Sequence, residues 1–166
     1  MLKRIGFKGQ NPSEYAGTEP PLNICEHLSG EMISEGIIFG PMGRIVSRFV
    51  ADMDGSWDGG QGILKEDFAF ASGGIQQREW HLTLGKDGQF SGTADDIIGK
   101  MHGLSVGATT RMTYRLKLAP DAGGHVLNVV DWMYLMENGT ILNRSQMRKF
   151  GIKVAELVAT IRPKHG

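Results

Sequence analysis

The sequence predicts an all-β protein: an antiparallel up-and-down β-barrel of about eight to ten strands, with a short helix near the N-terminus. Three observations predict it. About ten strand-like runs follow one another closely, at 31–39, 44–54, 63–71, 75–84, 89–98, 101–106, 108–118, 125–136, 141–150 and 152–162. The separators are turn-formers, among them Gly40-Pro41-Met42-Gly43, Ser72-Gly73-Gly74 and Asn138-Gly139. No run repeats its apolar residues with the period of an amphipathic helix. Antiparallel strands joined this way leave two unpaired edges unless the sheet closes, and closure into a barrel removes both. A β-sandwich is the alternative architecture.

Taken in order, residues 1–21 are polar and end in Pro20-Pro21, an irregular arm or lid ahead of a single barrel domain at 22–166. Leu22–Leu28 reads as a short helix capped by Asn23 and stopped near Gly30. The segment Asp52-Met53-Asp54-Gly55-Ser56-Trp57-Asp58 looks superficially like a calcium loop. It has Trp57 where the sharp turn needs glycine and Ile63 where a bidentate glutamate belongs, so it reads as a hairpin turn and no metal is expected.

The stretch from Trp57 to Ile98 carries the most information. In 63–71 the even positions Leu64, Glu66, Phe68 and Phe70 form one face, and in 75–84 the even positions Arg78, Trp80, Leu82 and Leu84 do the same. Both faces are apolar except for Glu66 and Arg78. A three-residue loop Ser72-Gly73-Gly74 puts both sets inside with Glu66 and Arg78 as diagonal neighbours. A three-residue loop Lys86-Asp87-Gly88 then sets Leu82 opposite Gly92, Trp80 opposite Ala94, and Arg78 opposite Asp96. A two-residue Asp87-Gly88 turn is the competing register and would turn Asp95 inward instead. Arg78 is thus expected between Glu66 and Asp96 on an otherwise hydrophobic face.

In 108–118, Ala108, Met112, Tyr114, Leu116 and Leu118 share the dry side and alternate with Thr109, Arg111, Thr113, Arg115 and Lys117. The pair 125–136 and 141–150 has apolar residues on both faces. An Asn138-Gly139 turn places Asp131, Met133 and Leu135 with Leu142 and Arg144, and Tyr134 with Asn143. Either face leaves polar groups inside: Asp131 with Arg144, or Asn143 with the Tyr134 hydroxyl.

Composition narrows the function classes. Among 166 residues, 18 are basic and 18 acidic, so no positive field argues for nucleic acid. The 24 glycines fall between apolar runs and read as turns. A single cysteine, Cys25, excludes an internal disulfide. No apolar run is long enough for a transmembrane helix. No histidine has zinc spacing to cysteine or another histidine, and Gly59-Gly60-Gln61-Gly62 lacks the Lys-Ser/Thr of a phosphate loop. No cofactor is expected. As written the chain reads as cytoplasmic, and as periplasmic or envelope-associated should an export signal have been removed.

The strings WDG (57–59), LKEDF (64–68), GGIQQREW (73–80), GTADDIIGKMHG (92–103), DWMY (131–134), NR (143–144) and KFGI (149–152) resemble an uncharacterised bacterial family, domain of unknown function 3833. The resemblance runs from about Pro21 to the C-terminus. It implies a lipocalin-like (calycin-like) barrel and no established activity. Many members look like lipoproteins, whereas Cys25 here follows Leu22-Asn23-Ile24 and not a lipobox after an apolar segment.

These readings converge on a binding protein for a small apolar or amphipathic molecule, held inside the barrel on a charged anchor. The candidate ligand-binding residues are Glu66, Arg78, Trp80, Asp96, Tyr114, Asp131 and Arg144. An isomerase or hydrolase using Glu66 or Asp96 in acid–base chemistry is one alternative. A filled-core structural or partner-binding domain, with the ion network serving only to hold register, is the other.

Overall fold

A computed structural model describes residues 4–165. Ten antiparallel strands form one closed up-and-down barrel: β1 (Gly30–Phe39), β2 (Ile45–Asp58), β3 (Gln61–Phe70), β4 (Ile75–Leu84), β5 (Gln89–Thr93), β6 (Ile97–Val106), β7 (Thr109–Lys117), β8 (Val126–Leu135), β9 (Ile141–Lys149) and β10 (Ile152–Pro163). Each strand pairs with its neighbours in sequence, and β1 with β10 closes the ring. The expected barrel is therefore present, in ten strands. The boundary between the fifth and sixth strands differs from the sequence reading. Pairing of β5 to β4 stops at Thr93, and Ala94–Asp96 form the connection to β6.

The expected run 44–54 also extends further, because β2 continues to Asp58. Ala51, Met53 and Gly55 alternate inward while Asp52, Asp54 and Ser56 are exposed. An extended strand holds these carboxylates apart on the outer wall, so the calcium-like segment is neither an ion loop nor a turn. The turn is Gly59-Gly60, joining Asp58 to Gln61.

The two ends of the barrel differ. One is plugged by α1 (Ile24–His27), whose cap is Asn23: its side chain accepts from the backbone N–H groups of Cys25 and Glu26. Leu22, Ile24 and Leu28 point into the main core, which also holds Met53, Leu64, Trp80, Phe90 and Met101. Trp57 Nε1 donates to the carbonyl of Leu28 at 3.0 Å, and a Cβ at Gly55 would fall 1.9 Å from that oxygen. The other end, ringed by the β1–β2, β3–β4, β5–β6, β7–β8 and β9–β10 connections, is open.

The N-terminal arm straps the outer wall and does not cover this opening; Met1–Lys3 of the expected arm lie outside the described residues. Tyr15 packs edge-on against Trp132 at 5.5 Å, and the Tyr15 and Tyr134 hydroxyls both donate to Gln10 Oε1, at 2.6 and 2.7 Å. Thr18 Oγ1 accepts from the N–H of Ala108 at 2.8 Å, and Leu22 donates to the carbonyl of Gly107. Trp132, on the outer face of β8, is fully buried beneath this strap. That burial explains why β8 looks apolar on both sides.

The plug yields a test. Gly55→Ala places a methyl against the Leu28 carbonyl and should cost at least about 2 kcal/mol in urea denaturation, the usual range for overpacking. Gly60→Ala, with only Leu84 Cβ at 3.9 Å, should stay within about 0.5 kcal/mol of wild type.

Candidate functional site

The sequence-derived charges meet halfway down the barrel. Glu66 is directly opposite Arg78 in the β3–β4 ladder, not diagonal to it. The reason is the loop. The Phe70 N–H donates to the carbonyl of Gly74 and the Phe70 carbonyl accepts from Gly73, so the three-residue connection is Ala71-Ser72-Gly73, one position earlier than expected, with Gly73 at φ 97°. Moving the whole loop by one residue changes the partners but preserves inside–outside parity, so both side chains still face inward. The Lys86-Asp87-Gly88 loop is as expected: Leu82 pairs with Gly92, and Gly85 bonds Gln89.

Asp96 sits in the β5–β6 connection and grips Arg78. The guanidinium donates from Nε at 3.1 Å and from Nη2 at 2.8 Å, a planar two-pronged pair. Its carbon lies 5.8 Å from the Phe68 ring centroid and 5.9 Å from that of Trp80. Burial works against the charge on Arg78. The hydrogen bonds to Asp96 and the nearby Glu66 and Tyr114 outweigh it and hold the guanidinium pKa above its ordinary value.

The far side of the ring is completed by β7, β8 and β9. Tyr114 packs edge-on to Trp80 at 5.4 Å, and its hydroxyl donates to Asp131 Oδ2 at 3.4 Å. Asn143 Nδ2 donates to Asp131 Oδ1 and, at 2.9 Å, to the carbonyl of Trp132. Asp131 and Asn143 share the inner face because the β8–β9 connection is a three-residue loop, Glu137-Asn138-Gly139, closed by the Met136 N–H donating to the Thr140 carbonyl and Gly139 donating to the Met136 carbonyl. The expected two-residue Asn138-Gly139 turn is off by one, and one residue inverts a face. Arg144 is consequently not in the site. It lies exposed on the outer wall, paired with Glu156 at 3.2 Å and stacked 5.2 Å from the Phe7 ring. Asn143 and Ser145 take the inward positions instead. The alternation in 141–147 signals them once the loop length is known.

Above this ring is a cavity of about 610 Å³ open to solvent. Phe49, Phe68, Phe70, Ile38 and Leu157 line its upper wall, and the polar ring forms its floor. Below the ring only about 80 Å³ remains, closed by Leu64, Leu82, Phe90 and Met101. All four inward aromatics expected from the sequence, Phe68, Phe70, Trp80 and Phe90, line one space or the other.

Burial dominates the electrostatics of the floor. It pushes Glu66 up to about 7, against the nearby Arg78 charge and hydrogen bonding from Trp80. It pushes Asp131 up to about 6, against hydrogen bonds from Ser145, Asn143 and Tyr114. The Tyr114 hydroxyl is raised well above its ordinary value, first by burial and then by Asp131. Burial of the charged form, and only secondarily the neighbouring carboxylates, thus raises the proton affinity of the ring.

The sequence matches a family described as protein of unknown function, DUF3833, over residues 1–163. The chain belongs to this family. No curated protein matches it. Among solved structures, a similar one is the crystal structure of a protein of unknown function from the DUF3598 family of Nostoc punctiforme, with TM-score 0.60 and 15% identity. The alignment covers 89% of this chain and 53% of the Nostoc chain, so the chain spans about half the length of that neighbour. At this identity the likeness concerns the fold alone. No helix among the described residues is long and apolar enough to cross a membrane.

Two predictions follow from the ring. Arg78→Met leaves Asp96 and Glu66 without their cation and should cost about 3 kcal/mol in denaturant titration, the low end for a buried pair because Asp96 borders the open cavity. Stability should also fall with rising pH. Glu66 and Asp131 hold protons in the folded state that they release when unfolded. Their contribution is complete below the ordinary carboxylate range and is lost as pH rises through about 6 for Asp131 and about 7 for Glu66. Urea midpoints measured from pH 5 to 8 should decline, and Glu66→Gln should flatten the upper part of that decline.

Proposed function

We propose that the protein binds a small amphipathic molecule in the open half of the barrel, polar end down on the Glu66–Arg78–Asp131 ring and apolar body against Phe49, Phe68 and Phe70. The observation that carries this reading is the cavity of about 610 Å³ with an aromatic wall and a polar floor, within the range of ordinary ligand sites. A filled-core structural domain would leave no such space.

The floor also selects the head group. Arg78 is already engaged by Asp96, and Glu66 and Asp131 add negative charge whenever they ionise. A hydroxyl or amine head, which donates hydrogen bonds to carboxylates, suits this floor better than a carboxylate head. Isothermal titration calorimetry with dodecanol, dodecylamine and dodecanoate tests the order. The first two should saturate, and dodecanoate should bind at least about tenfold more weakly at neutral pH, a difference of about 1.4 kcal/mol. Preference for dodecanoate would reverse the assignment of the head group. Failure of all three to bind, together with no extractable molecule in native mass spectrometry of fresh protein, would refute the ligand reading.

One observation favours a second reading, acid–base catalysis of the isomerase or hydrolase type. Glu66 near 7 and Asp131 near 6 face one cavity beside Tyr114, a spread of proton affinities suited to proton transfer at neutral pH. In that case Glu66→Gln should bind the molecule yet fail to convert it, with conversion in wild type rising through a pH near 7. In the binding case only affinity changes.

A further inference from the structure

We infer that the open mouth of the barrel is a docking surface for an anionic lipid bilayer. Around the ring, the β3–β4, β1–β2 and β9–β10 hairpins are consecutive at the open end. Each presents large apolar side chains to solvent: Ile75 at 83% exposure on the first, Met42 at 85% on the second, and Phe150 at 90% with Ile152 at 68% on the third. Isolated exposed apolar residues are ordinary. Four on one rim, two in the turns (Met42, Phe150) and two at the first residues of the strands that follow (Ile75, Ile152), are not.

Phe150 is the most telling of them. It occupies the first position of a two-residue turn with φ 52°, followed by Gly151 at φ 77°. Asp87 (φ 55°) is the other non-glycine residue with positive φ among the described residues, and aspartate tolerates that conformation. A bulky aromatic does not. Asparagine or glycine would make the turn with less strain, so local folding does not account for a phenylalanine held in full solvent.

Charge identifies the partner. The three segments that build this part of the rim, residues 36–51, 68–77 and 144–155, contain no aspartate or glutamate, in a chain whose 18 acids and 18 bases otherwise balance. Outside the cavity they carry Arg144, which pairs with Glu156 just beyond the segment, and five further cations, Arg44, Arg48, Arg148, Lys149 and Lys153. None of these five is in an ion pair with a carboxylate among the described residues. The acidic connections, with Asp95 and Asp121, lie on the other side of the mouth. Apolar tips flanked by unpaired cations match an anionic bilayer surface: the tips enter the acyl boundary and the cations meet the head groups. Separate protruding loops suit a fluid surface better than a fixed protein partner, which asks for one contiguous complementary patch.

Sedimentation of the full chain with extruded vesicles tests the proposal, using phosphatidylcholine alone and phosphatidylcholine with added phosphatidylglycerol. The chain should pellet with the anionic vesicles, weakly with the neutral ones, and less as salt is raised. Phe150→Asn should lower partitioning about tenfold while melting no lower than wild type, because asparagine accepts the positive φ. Paired Lys149→Glu and Lys153→Glu should abolish the preference for anionic vesicles. Equal binding to both vesicle types, no binding at low salt, or wild-type binding by Phe150→Asn would overturn it. So would self-association in vesicle-free solution that Phe150→Asn dissolves, which would assign the rim to a second copy of the chain. The cavity reading stands or falls separately, on calorimetric titration with the three dodecyl compounds in vesicle-free solution.

Discussion

In a closed sheet every strand has an inner and an outer face, and the length of each connecting loop decides which residues share one. The interior of this barrel depends on that parity more than on any single contact. Three-residue glycine loops after β3, β4 and β8 align even positions of β3, β4 and β5 on the inside, and odd positions of β8 with odd positions of β9. Had the β8–β9 loop been two residues long, Arg144 would have entered the ring in place of Asn143 and Ser145. A second cation would then oppose the burial that raises Glu66 to about 7 and Asp131 to about 6. One residue of loop thus sets the charge of the cavity floor.

The polar ring divides the barrel into two halves with different roles. Below it, Trp80, Phe90 and Met101 pack with Leu22, Ile24 and Leu28 of the plug into a solid core. This half buries the apolar surface that makes the fold stable. Above it the wall stays aromatic but the space stays open. Arg78 belongs to both halves. Its stem and guanidinium pack against Phe68 and Trp80, and its charge is met by Asp96 at the edge of the cavity. A charge at such a boundary is partly desolvated and still reachable, the condition under which it holds structure and also meets a ligand.

The mouth and the cavity belong to one physical arrangement. The aromatic wall of Phe49, Phe68 and Phe70 leads up to the rim that carries Ile75, Met42 and Phe150. An amphipathic molecule leaving a bilayer through that rim would pass from acyl chains to an aromatic wall without crossing bulk water. The strapped outer wall at β7 and β8 shows the contrasting treatment. There the apolar residues Trp132 and Tyr134 are covered by the chain's own arm, through Tyr15 and Gln10. This chain covers apolar surface on one side and leaves it bare at the mouth.

By itself the sequence determined the all-β class, the capped plug at Asn23, and the inward set Glu66, Arg78, Trp80 and Tyr114. Each is a local matter: alternation with period two, a side-chain cap, or glycine in a short turn. It also brought Arg78 to Asp96 through a three-residue Lys86-Asp87-Gly88 loop, and the structure decides for that register over the two-residue Asp87-Gly88 turn. What local pattern could not decide was the inner face of β8 and β9. Both faces there are apolar, since Trp132 is buried and Tyr134 half-buried by an arm more than a hundred residues away in the chain. Only the closed structure, where the outer wall of β8 meets Tyr15, distinguishes apolar residues that line the barrel from those that the arm hides. The grouping of Met42, Ile75 and Phe150 is tertiary for the same reason: barrel closure makes neighbours of hairpins that are far apart in sequence.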